Sequence, residues 1–170
     1  MPYTISNFVG AQAIADASSV RNHPLGTIVR GVGAPATGYN EQEATFIYLR
    51  GVASVAVGNL VNFCRGTWIV ERNPETAGNN SPLAVAMAAT VASMYGWFQL
   101  TGIAVISKTA VSIAADVALF QSETVGAVEA VASNGLEIVN CRSANTTSIS
   151  ASATLIPAMI MYPHMQGQAT

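Results

Sequence analysis

The chain has 170 residues, of which 51% are hydrophobic and only 9% charged, and its formal net charge is −2. An ordinary soluble domain carries about 25% charged residues, so much of this surface must be Ala, Ser, Thr, Asn and Gly. Seven Lys and Arg residues, scattered singly at positions such as Arg21, Arg30, Arg50, Arg65 and Lys108, exclude nucleic-acid binding as the main role, because phosphate binding needs clustered cations.

The length suits one domain with a real core. A weakly charged surface has little repulsion to keep copies apart, which points to a protein packed against other subunits. MPYTISNFVG has neither a basic nor an apolar region, so no secretory signal is expected. Cys64 and Cys141 are therefore expected as two buried thiols rather than a disulfide. Neither lies in a CxxC, which leaves a zinc site without its ligands.

In chain order, residues 1–22 show weak periodicity and could form one short helical turn or an extended arm, and Arg21-Asn22-His23-Pro24 is a break. Leu25–Val32 reads as a first strand, and GAPATGYN at 33–40 as a loop. The run FIYLRGVASVAVGNLVNF, Phe46–Phe63, reads as two strands broken at Gly51 and Gly58. Phe46 and Tyr48 occupy one face and Ile47 and Leu49 the other, so both faces should be covered. Gly58-Asn59 is a turn dipeptide, Trp68-Ile69-Val70 another short strand, and ERNPETAGNNSP at 71–82 a loop.

Thr76–Ser107 has no charge and is long enough to span a bilayer. It is rich in Ala and interrupted by Thr90, Ser93, Gly96, Gln99, Thr101 and Gly102, so no membrane helix is expected. Leu83–Tyr95 carries both helical and alternating features; the alternation of Leu83, Val85 and Met87 with Ala favours strand. Trp97–Ala104, WFQLTGIA, echoes the Phe46–Phe63 run at a constant offset of 51: Phe46/Trp97, Leu49/Leu100, Gly51/Gly102, Val52/Ile103 and Ala53/Ala104. Ser112–Phe120 and Val125–Ala132 follow as strands, and Ser133-Asn134-Gly135 predicts a hairpin into Leu136–Val139. Ile149–Leu155 alternates with Ser and Thr in strict period two, a strand that Pro157 should end or mark as an edge. The tail, 164–170, is expected to fray. The domain organisation is thus an N-terminal arm 1–24, a β-rich domain 25–163 and a tail 164–170. The fold expected is all-β, a small β-barrel or β-sandwich with two weakly repeated halves.

Candidate chemistry is thin. His23 and His164 are loop imidazoles without a recognisable orienting partner. Glu41 and Glu43 could pair on one strand face as glycosidase carboxylates do, but read better as a charged edge. Phe46, Tyr48, Phe63, Trp68, Tyr95, Trp97 and Phe98 fall inside apolar runs without interleaved cations, and are expected in the core rather than stacked on bases or sugars. No catalytic, cofactor-binding or metal residue is nominated, and no enzyme activity is expected.

The Phe46–Phe63 run, followed by Leu83–Ala89 and by YGWFQLTGIA at Tyr95–Ala104, resembles tailed-bacteriophage capsid decoration (cement) proteins. The Ala-rich stretch Ile149–Pro163 fits the same pattern, and the resemblance spans about residues 25–163. It implies a β-rich virion protein on the capsid exterior, made in the host bacterial cytoplasm. Its partners would be the major capsid protein and its own copies in a homo-oligomer, with a trimer the expected state, and without nucleic acid, membrane, cofactor or enzymatic activity. Another head or tail component, such as a shell-forming protein, and a carbohydrate-binding β module are the competing readings. Residues 1–24 have no counterpart in the pattern.

Overall fold

The computed structural model describes residues 4–5, 10–74 and 80–167. Among them are thirteen strands and no helix: β1 (Thr4–Ile5), β2 (Ala17–Ser18), β3 (Ile28–Gly33), β4 (Gln42–Arg50), β5 (Leu60–Phe63), β6 (Val70–Arg72), β7 (Leu83–Ala86), β8 (Tyr95–Gln99), β9 (Thr101–Ser107), β10 (Ala118–Gln121), β11 (Val128–Glu129), β12 (Glu137–Ser143) and β13 (Leu155–Met165). All ladders between these strands are antiparallel and form two curled sheets. The larger has the order β1-β3-β4-β8-β7-β5-β6, with β2 also on β8; the smaller has the order β11-β10-β12-β13-β9. The all-β expectation holds.

Side-chain alternation on β4 splits the larger sheet's cover in two. Phe46 and Tyr48 join Trp97, Val29, Ala44 and Met87 in one buried cluster, which Ile14 closes from above. Ile47 and Leu49 join Val61, Phe63, Ala84, Ala86, Phe98 and Leu100 in the cluster on the opposite side. Both faces of β4 are therefore dry, as its apolar alternation requires. The third cluster lies between the sheets, where Leu60, Leu83 and Val85 meet Ala104, Ile106, Leu119, Ile138, Cys141, Ile156, Ile160 and Met165.

The sequence echo lands on neighbouring strands of one sheet. β4 and β8 pair directly, with Tyr48 opposite Trp97 and Ile47 opposite Phe98. The chain leaves the larger sheet for the smaller at Leu100, between β8 and β9. The Leu100 N–H donates to Thr45 O at 2.8 Å, while its carbonyl accepts from Tyr162 N–H at 2.8 Å, so one residue bonds into both sheets. Gly102 makes the bend possible: its φ is +90°, and a Cβ there would lie 3.1 Å from the Glu43 carbonyl.

Several expectations shift. The arm is built into the domain: β1 pairs with β3, β2 pairs with β8, and Ile14 is buried. Residues 1–3 and 6–9 lie outside the described residues, as do 168–170 of the tail. His164 and Met165, assigned to that tail, end β13, and Met165 is fully buried. Leu83–Tyr95 is strand over Leu83–Ala86 and again at Tyr95, where β8 starts; Met87–Met94 between them turns back toward β8. The Asn134-Gly135 turn is present, but the strands it joins do not pair; β11 and β12 flank β10 instead. The serine-rich alternation at 148–154 is a loop crossed by one bridge, Ile113–Ile149, and the strand starts at Leu155. Pro157 is inside that strand, which lies between β12 and β9 rather than at the sheet's edge. Its carbonyl accepts from Ala144 N–H at 2.8 Å, just past the end of β12; the return bond that a proline cannot donate is replaced by the Tyr39 hydroxyl, which donates to the Ala144 carbonyl at 2.8 Å.

Candidate functional site

A groove of about 570 Å³ opens where the two sheets meet. Ile28 of β3, Ile47 of β4 and Phe63 of β5 supply one wall, Trp68 and Arg65 of the β5–β6 loop another, and Tyr162, Pro163 and His164 of β13 the third. Leu83 and Leu100 contribute to its apolar lining, and Asn80 and Pro82 complete it.

Two of these side chains are held by unusual backbone. Trp68 has φ 56° and Tyr162 has φ 50°, a region that bulky residues enter only under constraint. The constraint on Trp68 is a tight turn. Its N–H donates to Cys64 O at 2.7 Å, and its carbonyl accepts from Arg50 N–H at 2.9 Å. Its ring is near-parallel to Phe63, with centroids 6.3 Å apart. Gly26 lies beneath that ring; a Cβ there would sit 2.8 Å from it. Tyr162 sits in an irregularity of the β12–β13 ladder, where the register shifts between Val139 and Cys141. The kink aims its N–H at Leu100 rather than at β12, and leaves the side chain 55% exposed. A local break in a ladder that re-aims a side chain is a recurrent device beside functional sites.

Among the described residues, the ionisable groups lining the groove are Arg65, Tyr162 and His164, with no carboxylate. Arg65 is exposed and makes no ion pair among the described residues. His164 Nδ1 lies 3.5 Å from the Tyr162 carbonyl.

Sequence features singled out for chemistry are dispersed. Phe46, Tyr48, Trp97 and Phe98 are core residues, whereas Trp68 is half-buried and faces the groove. His23 is not a solvated loop residue: it is buried at 7% exposure, with centroids 5.0 Å from Tyr48 and 5.4 Å from Trp97. Its Nε2 accepts the Gln12 N–H at 3.1 Å, which pins the N-terminal segment to the sheet. Gln12 completes that latch: its carbonyl accepts from Trp97 Nε1–H at 2.9 Å, and its Oε1 from the Tyr48 hydroxyl at 3.0 Å. Burial pushes the Tyr48 phenol above its ordinary value. Glu43 forms a surface ion pair with Arg30 at 3.2 Å, away from the groove.

The cysteines differ from expectation. Both are free, but only Cys141 is buried; Cys64 is exposed at the start of the Trp68 turn. Backbone N–H groups of Thr67 and Gly66 bond its sulfur and lower its pKa. Tyr162 carried no sequence signal, because the kink that exposes it depends on pairing with distant β12. No group of three or more His, Cys, Asp or Glu side chains among the described residues could hold a metal ion, and no described helix is long and apolar enough to cross a membrane. The chain matches no protein-family model, and a search of curated proteins finds no relative.

Proposed function

We propose that the chain is a structural virion protein that binds the outside of a bacteriophage capsid and stabilises the shell. The observation that carries this reading is the outer face of the smaller sheet. Leu155, Pro157, Met159 and Met161 point outward from β13, and Val105 and Ile103 lie opposite Pro157 and Met159 on β9. These six side chains form an apolar stripe, bordered opposite Met159 by the Arg142–Asp116 ion pair, in which Leu155, Met159 and Met161 are 46%, 45% and 63% exposed. A contiguous apolar patch on so weakly charged a surface is suited to an interface. The Phe46–Phe63 and Tyr95–Ala104 resemblance supplies the class of partner, the major capsid protein.

Residues 10–24 are committed to their own sheet through Gln12, Ile14 and His23, so the shell contact is assigned to this stripe rather than to the arm. A protein that binds only the assembled shell stabilises it by its binding free energy, repeated over many identical sites. A homo-oligomer, with a trimer the expected state, would present several stripes to neighbouring capsid subunits. Co-sedimentation with phage heads tests the reading: the native chain should pellet with them, and the Met159→Glu/Met161→Glu double variant should remain in the supernatant. A native chain that is monomeric in solution and absent from particles would overturn it.

A further inference from the structure

The groove at the seam of the two sheets has a chemistry of its own, and it does not depend on the shell-binding reading. We propose that it is a binding site for an acidic saccharide, an oligosaccharide whose sugar ring carries a carboxylate. Its volume of about 570 Å³ falls in the range of small-ligand sites, about 300–1,000 Å³. Two aromatic residues face it, Trp68 backed by Phe63 and Gly26 on one wall, Tyr162 on the other. Such rings present flat apolar faces to the C–H groups of a pyranose, and the tyrosine hydroxyl adds a polar handle. Asn80 and His164 supply hydrogen-bonding groups of the kind sugar hydroxyls require.

The charge selects within the class. Among the described residues, Arg65 is the fixed cation of the lining, no carboxylate opposes it there, and it makes no ion pair. A guanidinium presents a planar donor fork that matches a carboxylate in two parallel hydrogen bonds. One fixed cation is too few for a polyphosphate chain, which needs several. The backbone supports the same assignment. Trp68 and Tyr162 are the two aromatic residues with positive φ among the described residues, on different elements, and both line this one groove. Strain of that kind persists only where the surrounding structure over-determines it, and such positions cluster at ligand sites.

Titration of the intact protein with trigalacturonate and sialyllactose, with maltotriose and octanoate as controls, provides the test. Trp97 is fully buried and Trp68 is not, so intrinsic fluorescence reports on the groove, with calorimetry as the second readout. At least one acidic sugar should bind saturably at millimolar concentration or below, with maltotriose at least about tenfold weaker. Arg65→Ala and Tyr162→Ala, both at exposed positions, should each weaken binding about tenfold or more while leaving the thermal unfolding midpoint in place. Binding of neither acidic sugar, equal binding of maltotriose, preference for octanoate, or an unchanged affinity in Arg65→Ala would each overturn the proposal.

Discussion

The two sheets bury their apolar residues by different means. The larger is aromatic, with Phe46, Tyr48, Trp97 and Phe98 in its centre, and is covered on both faces. One of its covers is the chain's own N-terminal segment, fixed by Gln12, Ile14 and His23. The smaller is aliphatic; its inner face closes on the intersheet core, and its outer face carries the exposed Leu155–Met161 stripe. The strands of the two sheets are comparably apolar, so composition does not distinguish them. What distinguishes them is whether a segment of the same chain returns to cover the second face. Along β13 the Leu155, Met159 and Met161 side chains stay exposed, so the low charge content becomes an apolar surface on this side of the molecule.

The sharpest way to break the comparison is to remove the centre of the covered face. Trp97→Ala deletes a fully buried indole together with its hydrogen bond to the Gln12 carbonyl. A loss of about 3–5 kcal/mol is expected, the range for large aromatic truncations in a core. Chemical denaturation should show it as a lower midpoint, and proteolysis near residues 10–24 should accelerate as the cover loosens. If stability is kept, the N-terminal segment is not the cover described above.

Next in size is the pin between the sheets. Asn73 follows β6 and is fully buried. Its Nδ2 donates to Gln121 Oε1 at 2.6 Å and approaches Met165 Sδ at 3.2 Å, while its carbonyl accepts from Gly126 N–H at 3.1 Å. Asn73→Ala leaves the Gln121 oxygen without this donor in a buried site, which costs about 1–3 kcal/mol. A single, less stable transition is expected. Two separate transitions would mean that the sheets fold as independent units and that the intersheet core is weaker than its burial implies.

Local alternation made the covered sheet legible. Phe46 to Leu49 alternates between two apolar sets, and a strand covered on both faces follows directly, as do the Gly58-Asn59 turn and the limits of β5. The stripe and the groove were less visible, because each is assembled from distant segments. Met159 and Ile103 become neighbours only through β9–β13 pairing. Tyr162 is exposed by a register shift against β12, and Trp68 by a turn closed on Cys64. The Ser/Ala alternation at 148–154 misled for a related reason. Period two without large side chains carries little burial energy, so Ser112–Ser148, Ser150–Ser152 and Lys108 contacts shape it into a loop instead. The Asn134-Gly135 turn failed as a hairpin signal because β10 offers both flanking strands a better partner than each other.

A smaller effect is expected where the larger sheet meets the groove. Gly26 has φ +82°, and its missing Cβ leaves room for the Trp68 ring. Gly26→Ala places a side chain in the left-handed region, at about 1–2 kcal/mol, and pushes the ring outward. Trp68 emission should shift to the red while Trp97 stays unchanged. Smaller again is Met159→Glu on the bare stripe. An exposed substitution there should change stability by less than about 0.5 kcal/mol, whereas the same change at Ile160, one residue further and buried, should prevent folding. A large stability loss in Met159→Glu would mean that the outer face is covered after all.

The last test changes no residue and reads the two sheets through their thiols. Cys64 belongs to the hairpin loop of the larger sheet and is exposed, and the Gly66 and Thr67 N–H groups favour its thiolate. Cys141 faces inward from the smaller sheet, and burial pushes its pKa up to about 12. A thiolate-specific reagent should therefore label one cysteine in the native protein and two in denaturant. The native reaction should follow the Cys64 thiolate, so its rate should rise with pH through a midpoint below the ordinary thiol value of 9.0. Rapid native labelling of Cys141 would show that the inner face of the smaller sheet opens readily. The bare outer stripe would then mark a loosely held sheet rather than a rigid surface awaiting a partner. Slow labelling, limited by global unfolding, would establish that the stripe rests on a closed core.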